Sequence, residues 1–110
     1  MLGAFAEAAR LYNRVLDLLE EPGVPLTPGF RNQLDRAALS VSNNIAEGFE
    51  RVTVNELNAF LAIARGSAGE VRSMLCVIEL MDVPADLKSQ ISNFKSLSEG
   101  SSRQLRGWAN

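Results

Sequence analysis

Residues 36–71 read RAALSVSNNIAEGFERVTVNELNAFLAIARGSAGEV, and this stretch decides the fold. Its first part places apolar residues at helical spacing and ends at Gly48. A second, longer helical pattern begins after Thr53, which forms a capping-box signature with Glu56. Because the connection between the two patterns is short, they are predicted to form neighbouring antiparallel helices on which the rest of the chain packs.

Four helices are predicted, over about residues 2–21, 28–48, 54–81 and 84–108. A run of prolines and glycines at 22–29 ends the first helix, and Thr27 is the predicted N-cap of the second. Gly48 is predicted to follow the second helix in a left-handed conformation. No strand pattern, repeat or linker is present in the sequence. The prediction is therefore an all-α protein of one domain, residues 1–110, folded as an up-down-up-down antiparallel four-helix bundle.

The predicted inner faces follow alternating spacings of three and four residues. They are Phe5, Ala8, Tyr12, Val15 and Leu19 in the first helix; Phe30, Leu34, Ala37, Val41 and Ile45 in the second; Leu57, Leu61, Ala64, Ala68, Val71, Leu75 and Ile78 in the third; and Leu87, Ile91, Phe94 and Leu97 in the fourth. In the first helix, Leu11, Leu16 and Leu18 widen the apolar stripe. Gly66 and Gly69 lie inside the third helix, where each costs about 1 kcal/mol relative to alanine. We therefore expect another backbone to approach them closely.

Further apolar residues lie outside the inner faces of the second and third helices. A monomeric bundle would expose some of them, and exposed apolar patches usually mark interfaces. The predicted subunit-contact residues of a homo-oligomer are Leu39, Phe60, Ile63, Met74, Val77 and Met81.

Composition argues against several classes of function. The chain of 110 residues has a net charge of −2, which gives no overall attraction to nucleic acid or anionic membrane. It contains no histidine and one cysteine, Cys76, so no metal site, cofactor or activated nucleophile is predicted. No apolar run is long enough to span a membrane, and no signal peptide is recognised. The expectation is a cytoplasmic protein that is not an enzyme.

Polar residues cluster where the second helix ends and the third begins: Asn44, Glu47, Gly48, Arg51, Thr53, Glu56 and Ser67. They could form a small polar site between the two helices. Alternatively, they cap the helices and form a hydrogen-bond network that fixes the helix register. Capping already accounts for Thr53, Glu56 and Gly48, so the structural interpretation is favoured.

Basic residues form weak stripes on the last two helices: Arg65, Arg72, Lys88, Lys95, Arg103 and Arg106. They are either a solvated polar face or contacts for nucleic-acid phosphates. A ring of subunits would repeat such a patch, so that modest charge on each chain could still give avidity.

The segment from Gln33 to Val71 resembles a known bacterial family. The resemblance is carried by Gln33-Leu34, Arg36-Ala37-Ala38, Ser40-Val41, Asn44-Ile45-Ala46-Glu47-Gly48, Arg51, Thr53, Glu56, Phe60-Leu61, Ile63-Ala64, Gly66-Ser67 and Glu70. These residues are similar to those of four-helix-bundle proteins encoded in intervening sequences of large-subunit ribosomal RNA genes. The sequence departs from the family pattern at Asp35, where a second arginine is common, at Ser42, where proline is common, and at Ala68-Gly69, where a bulkier pair is common.

The resemblance implies a four-helix bundle that assembles as a ring-shaped homopentamer. It also implies kinship with accessory variability proteins of diversity-generating retroelements, which work with a reverse transcriptase and nucleic acid. It supplies no catalytic residue. The function predicted from the sequence is a non-enzymatic oligomeric scaffold or adaptor. The alternative is an accessory protein that binds RNA or DNA, in connection with ribosomal RNA or reverse transcription.

Overall fold

The computed structural model describes residues 2–81 together with residues 83, 85, 89, 91 and 92. Three complete α-helices lie in this part of the chain. They are α1 (Leu2–Leu19), α2 (Pro28–Phe49) and α3 (Val54–Glu79). No strand occurs among these residues. The all-helical prediction is confirmed, and the three helices lie within two residues of their predicted bounds. The predicted fourth helix, 84–108, falls almost entirely outside the described residues.

Helix α2 is the central element, because its backbone runs close to both α1 and α3, whose Cα atoms do not come within 8 Å of each other. Both pairs are antiparallel. Along α2, Gln33, Ser40 and Gly48 meet Glu70, Ser67 and Phe60 of α3, so the partner number falls as the α2 number rises.

The core consists of one face of each helix. The α3 residues predicted to face inward are buried except Leu57, which is half-buried. In α1 the prediction was right at Ala8 and Val15 and at the widening residues Leu11 and Leu18, and it was wrong at Phe5. The buried residues are Ala4, Ala8, Leu11, Val15 and Leu18, while Phe5 is 41% exposed and Tyr12 and Leu19 are half-buried. Both sides of α1 carry large apolar residues, so periodicity alone did not distinguish the buried stripe from its neighbour.

Helix α2 begins as predicted and ends differently. Thr27 is its N-cap, and the Thr27 hydroxyl accepts a hydrogen bond from the Phe30 N–H at 3.1 Å. The helix continues through Gly48, and none of the described residues has a positive φ. The last turn tightens, because the N–H groups of Glu50 and Arg51 donate to the carbonyls three residues earlier. The prediction of a left-handed glycine cap at Gly48 was therefore wrong.

The α1–α2 loop is held in place by two contacts that the sequence did not reveal. Val24 is buried at 3% exposure although it lies among prolines and glycines. The Arg31 guanidinium donates to the carbonyls of Leu19, Val24 and Leu26. Arg31 therefore joins the C-terminal end of α1, the loop and the first turns of α2.

Candidate functional site on the α2–α3 face

A polar contact crosses from α2 to α3 near the middle of the two helices. The Ser67 hydroxyl donates to Ser40 Oγ at 2.9 Å, and Asn44 Nδ2 donates to Ser40 Oγ at 2.9 Å and to the Ser40 carbonyl at 2.8 Å. All three side chains are half-buried. This network ties one position of α2 to one position of α3, as expected for groups that fix helix register. Asn44 and Ser67 belong to the polar cluster predicted from the sequence, whereas Ser40, which joins them, was not predicted.

Gly48 allows α2 and α3 to approach each other at the other end of this face. A Cβ at position 48 would lie 3.1 Å from Phe60 Cβ and 3.2 Å from Leu57 Cδ1. Glycine therefore avoids crowding at this close helix–helix approach, and its backbone conformation is an ordinary helical one. Gly66 and Gly69 differ from Gly48. Among the described residues, a Cβ at 66 would meet nothing within 4 Å and one at 69 would meet only Arg72, so the backbone predicted to approach these glycines is not one of the described elements.

Arg51, two residues after the end of α2, lies over Phe60. Its guanidinium is 4.8 Å from the ring centroid, measured from Cζ, which is cation–π geometry. Arg51 also forms an ion pair with Glu47, one helical turn earlier. Arg51 therefore packs on the α3 residue whose Cβ lies beside Gly48.

The predicted capping box at Thr53 and Glu56 is present with one change. The Thr53 hydroxyl accepts from the Glu56 N–H at 3.1 Å, which caps α3 as predicted. The Glu56 carboxylate accepts from the Thr53 hydroxyl at 2.8 Å, whereas in a capping box it accepts from the backbone N–H of the N-cap residue. The predicted polar cluster is therefore divided into three separate pairs. They are Asn44 with Ser67, joined through Ser40; Glu47 with Arg51; and Thr53 with Glu56.

The six predicted subunit-contact residues fall into three classes of exposure. Ile63 and Val77 are 52% and 48% exposed, and Leu39 is 38% exposed. Phe60 and Met81 are half-buried. Met74 is buried within the chain itself at 8% exposure. The free apolar surface of this set therefore consists mainly of Ile63 and Val77 on α3 and Leu39 on α2.

The predicted basic residues are only partly described. Arg65 and Arg72 are half-buried on α3, seven residues apart and so on one side of the helix. Within the described part of the chain, neither side chain forms an ion pair or a hydrogen bond. Lys88, Lys95, Arg103 and Arg106 lie outside the described residues.

A hydrogen bond from Tyr12 to Asp35 joins α1 to α2, with the Tyr12 hydroxyl 2.7 Å from Asp35 Oδ1. This hydrogen bond raises the pKa of Tyr12 above its ordinary value of 10.0, and desolvation and the negative charge of Asp35 add to the effect. From the sequence, Asp35 was only a departure from the family pattern. The hydrogen bond was not predicted, because Tyr12 was expected to face the apolar core.

No group of three or more metal-ligating side chains occurs within the described part of the chain. Cys76 is a half-buried free thiol on α3. In the same part of the chain, none of the helices has the length and apolar content required to cross a bilayer.

A family model described as 23S rRNA-intervening sequence protein matches residues 2–107. The chain belongs to this family. Searches of the curated proteins and of the solved structures gave no match. The resemblance seen in residues 33–71 is thus confirmed at the level of the 23S rRNA-intervening sequence proteins, and it extends over almost the whole chain.

Two unusual residues of this 23S rRNA-intervening sequence protein have structural partners. Asp35 accepts the Tyr12 hydroxyl, as described above. Ser42 is buried at 6% exposure, and its hydroxyl donates to the Leu39 carbonyl at 3.2 Å. Both substitutions are therefore accommodated by hydrogen bonds between or within helices.

Proposed function

We propose that this protein is a non-enzymatic scaffold that assembles with further copies of itself. The observation that carries the proposal is the exposure of Ile63 and Val77 on α3, where the other large apolar residues after the first turn are buried or half-buried. Together with Glu70, they occupy successive positions seven residues apart, which we call the outer α3 stripe. Positions seven residues apart lie on one side of a helix, so this stripe extends for about 21 Å.

Burial of the outer α3 stripe removes apolar surface from water. Each exposed aliphatic side chain contributes roughly 1–2 kcal/mol when it is covered. The polar contacts of the α2–α3 face support the proposal indirectly. They hold the two helices in one register, so that the stripe is presented on a fixed framework.

The test is the double variant Ile63→Lys with Val77→Lys, measured by sedimentation velocity and circular dichroism. Its matched control is Val52→Lys with Val54→Lys, which adds the same charge at apolar residues that are 96% and 71% exposed outside the stripe. We expect the stripe variant to form smaller, folded particles and the control to keep the wild-type size. A folded stripe variant of wild-type size, or a wild-type protein that is monomeric at all concentrations, would overturn the proposal.

We infer further that the chain is an up-down-up-down four-helix bundle. The backbones of α1 and α3 both run close to α2 but not to each other, which is the arrangement of helices on one diagonal of a bundle. Their inner faces are nevertheless buried. Ile91 is fully buried, and Ala85, Ser89, Ile91 and Ser92 are helical. A fourth helix between α1 and α3 accounts for these observations together.

A second candidate function is binding of structured RNA or duplex DNA as an accessory protein. Arg65 and Arg72 favour it, because both are half-buried and lack an anionic partner. The test is binding to a structured RNA and a duplex DNA across a salt series, with Arg65→Gln and Arg72→Gln as variants. Affinity that falls steeply with salt and is weakened by both variants supports this function, because phosphate contacts release counterions. Absence of binding at low salt removes it.

A further inference from the structure

The outer α3 stripe carries a charge at its centre. Glu70 is exposed between Ile63 and Val77. Its only described partner is Gln33, whose Nε2 lies 3.5 Å from Glu70 Oε1, at the outer limit of a hydrogen bond. Since a carboxylate can accept several hydrogen bonds, Glu70 retains most of its capacity to bind a cation.

An interface that covers Ile63 and Val77 must also cover Glu70. Burial of an unpaired carboxylate is strongly unfavourable, so the covering surface has to supply a cation along with apolar groups. Arginine suits this position, because its planar guanidinium binds a carboxylate through two parallel hydrogen bonds.

Arg36 is the arginine of the described residues that meets these requirements. It is exposed, it forms no ion pair or hydrogen bond, and the exposed Leu39 lies one helical turn away on α2. The other arginines fail on one of these points. Arg31 and Arg51 already have partners, and Arg10, Arg14, Arg65 and Arg72 have no exposed large apolar residue one turn away.

We propose that Arg36 and Leu39 of one copy dock on the outer α3 stripe of a second copy, with the Arg36 guanidinium on the Glu70 carboxylate. Charge complementarity supports a second copy as the partner. The chain supplies both the anion, Glu70 between two exposed apolar residues, and the cation, Arg36 beside the exposed Leu39. The inference rests on the proposed self-assembly and names the surfaces that meet.

The test is a charge exchange with differently tagged chains. We expect Arg36→Glu and Glu70→Arg each to weaken self-association at least tenfold. Each variant has the same sign of charge at both positions. A mixture of the two restores opposite charges between neighbouring copies, so the two tagged chains should co-purify, although neither assembles alone. The double variant with both exchanges should assemble as the wild type does.

The matched control is the ion pair within one chain, Glu47 and Arg51. Because this pair lies within one chain, mixing Glu47→Arg with Arg51→Glu should not change self-association. The mixture should assemble to the same extent as each variant alone. The proposal is overturned if self-association is restored in the double variant with both exchanges but not in the mixture of single variants. Arg36 and Glu70 would then pair within one chain.

Failure of this inference and failure of the proposed function give different results. If the lysine variant at Ile63 and Val77 dissociates while Arg36→Glu and Glu70→Arg keep the wild-type size, the chain assembles through the stripe but Arg36 is not its partner. If the lysine variant also keeps its size and fold, the stripe is not an interface.

Discussion

Gly48 and Gly66 are both helical glycines without a positive φ, and they differ in the space around them. A Cβ at 48 would crowd Phe60 Cβ and the Leu57 side chain, whereas a Cβ at 66 would enter open space within the described structure. We predict that Gly66→Ala raises the free energy of unfolding by about 0.5–1 kcal/mol, because alanine has the higher helix propensity. At Gly48, crowding of about 1–3 kcal/mol opposes that gain.

The measurement for both glycines is urea denaturation at a fixed protein concentration. Gly48→Ala should have the lower midpoint of the two variants, and Gly48→Val should be lower still. Equal stabilisation by alanine at both positions would show that α2 and α3 are not in close contact at Gly48.

Tyr12 provides a prediction about alkaline pH at the residue scale. Because its pKa is raised in the folded state, the folded chain favours the neutral phenol. The stabilisation is complete below the ordinary value of 10.0 and is lost as the pH rises through the raised pKa. We predict that Tyr12→Phe lowers the free energy of unfolding by about 1 kcal/mol at neutral pH and reduces its decline in alkali.

Tyr12 is the single tyrosine of the chain, so ultraviolet absorbance reports its ionisation directly. Removal of the acceptor charge with Asp35→Asn should lower the pKa of Tyr12 towards 10.0. A midpoint that does not change in this variant would contradict the α1–α2 hydrogen bond.

Arg31 determines how the first two helices are joined at the scale of elements. Its guanidinium donates to three carbonyls of α1 and the loop. Lysine has the same charge but cannot present donors in this planar arrangement. We predict that Arg31→Lys destabilises the protein by about 1–3 kcal/mol, because buried carbonyls lose their partners. The control is Arg10→Lys, at an exposed residue without an ion pair, which should change stability by less than about 0.5 kcal/mol.

At the scale of the whole molecule, the burial of Ile91 tests the fourth helix. Ile91 is 0% exposed and belongs to the same core as α1 and α3. We predict that Ile91→Ala lowers the free energy of unfolding by about 2–4 kcal/mol through the loss of packing. Val52→Ala is the control, because Val52 is 96% exposed, and it should change stability by less than about 0.5 kcal/mol. A small effect at Ile91 would place the segment after α3 outside the core.

The sequence alone determined the three described helices and most of their inner faces. Local rules are sufficient for these features: the seven-residue pattern from Leu57 to Ile78, the caps at Thr27 and Thr53, and the run of prolines and glycines after α1 all act within a few residues. The family could also be identified from short motifs in residues 33–71.

Only the tertiary structure decided the relations between residues far apart in the chain. Packing on α2 decides which apolar residues of α1 are buried. Contact with α3 joins Asn44 to Ser67 through Ser40, and contact with the end of α1 gives Arg31 its anchoring role. Gly48 is the clearest example. Its sequence position fits a helix cap, but the side chains of α3 occupy the space beside it, and that proximity is not encoded in any local pattern.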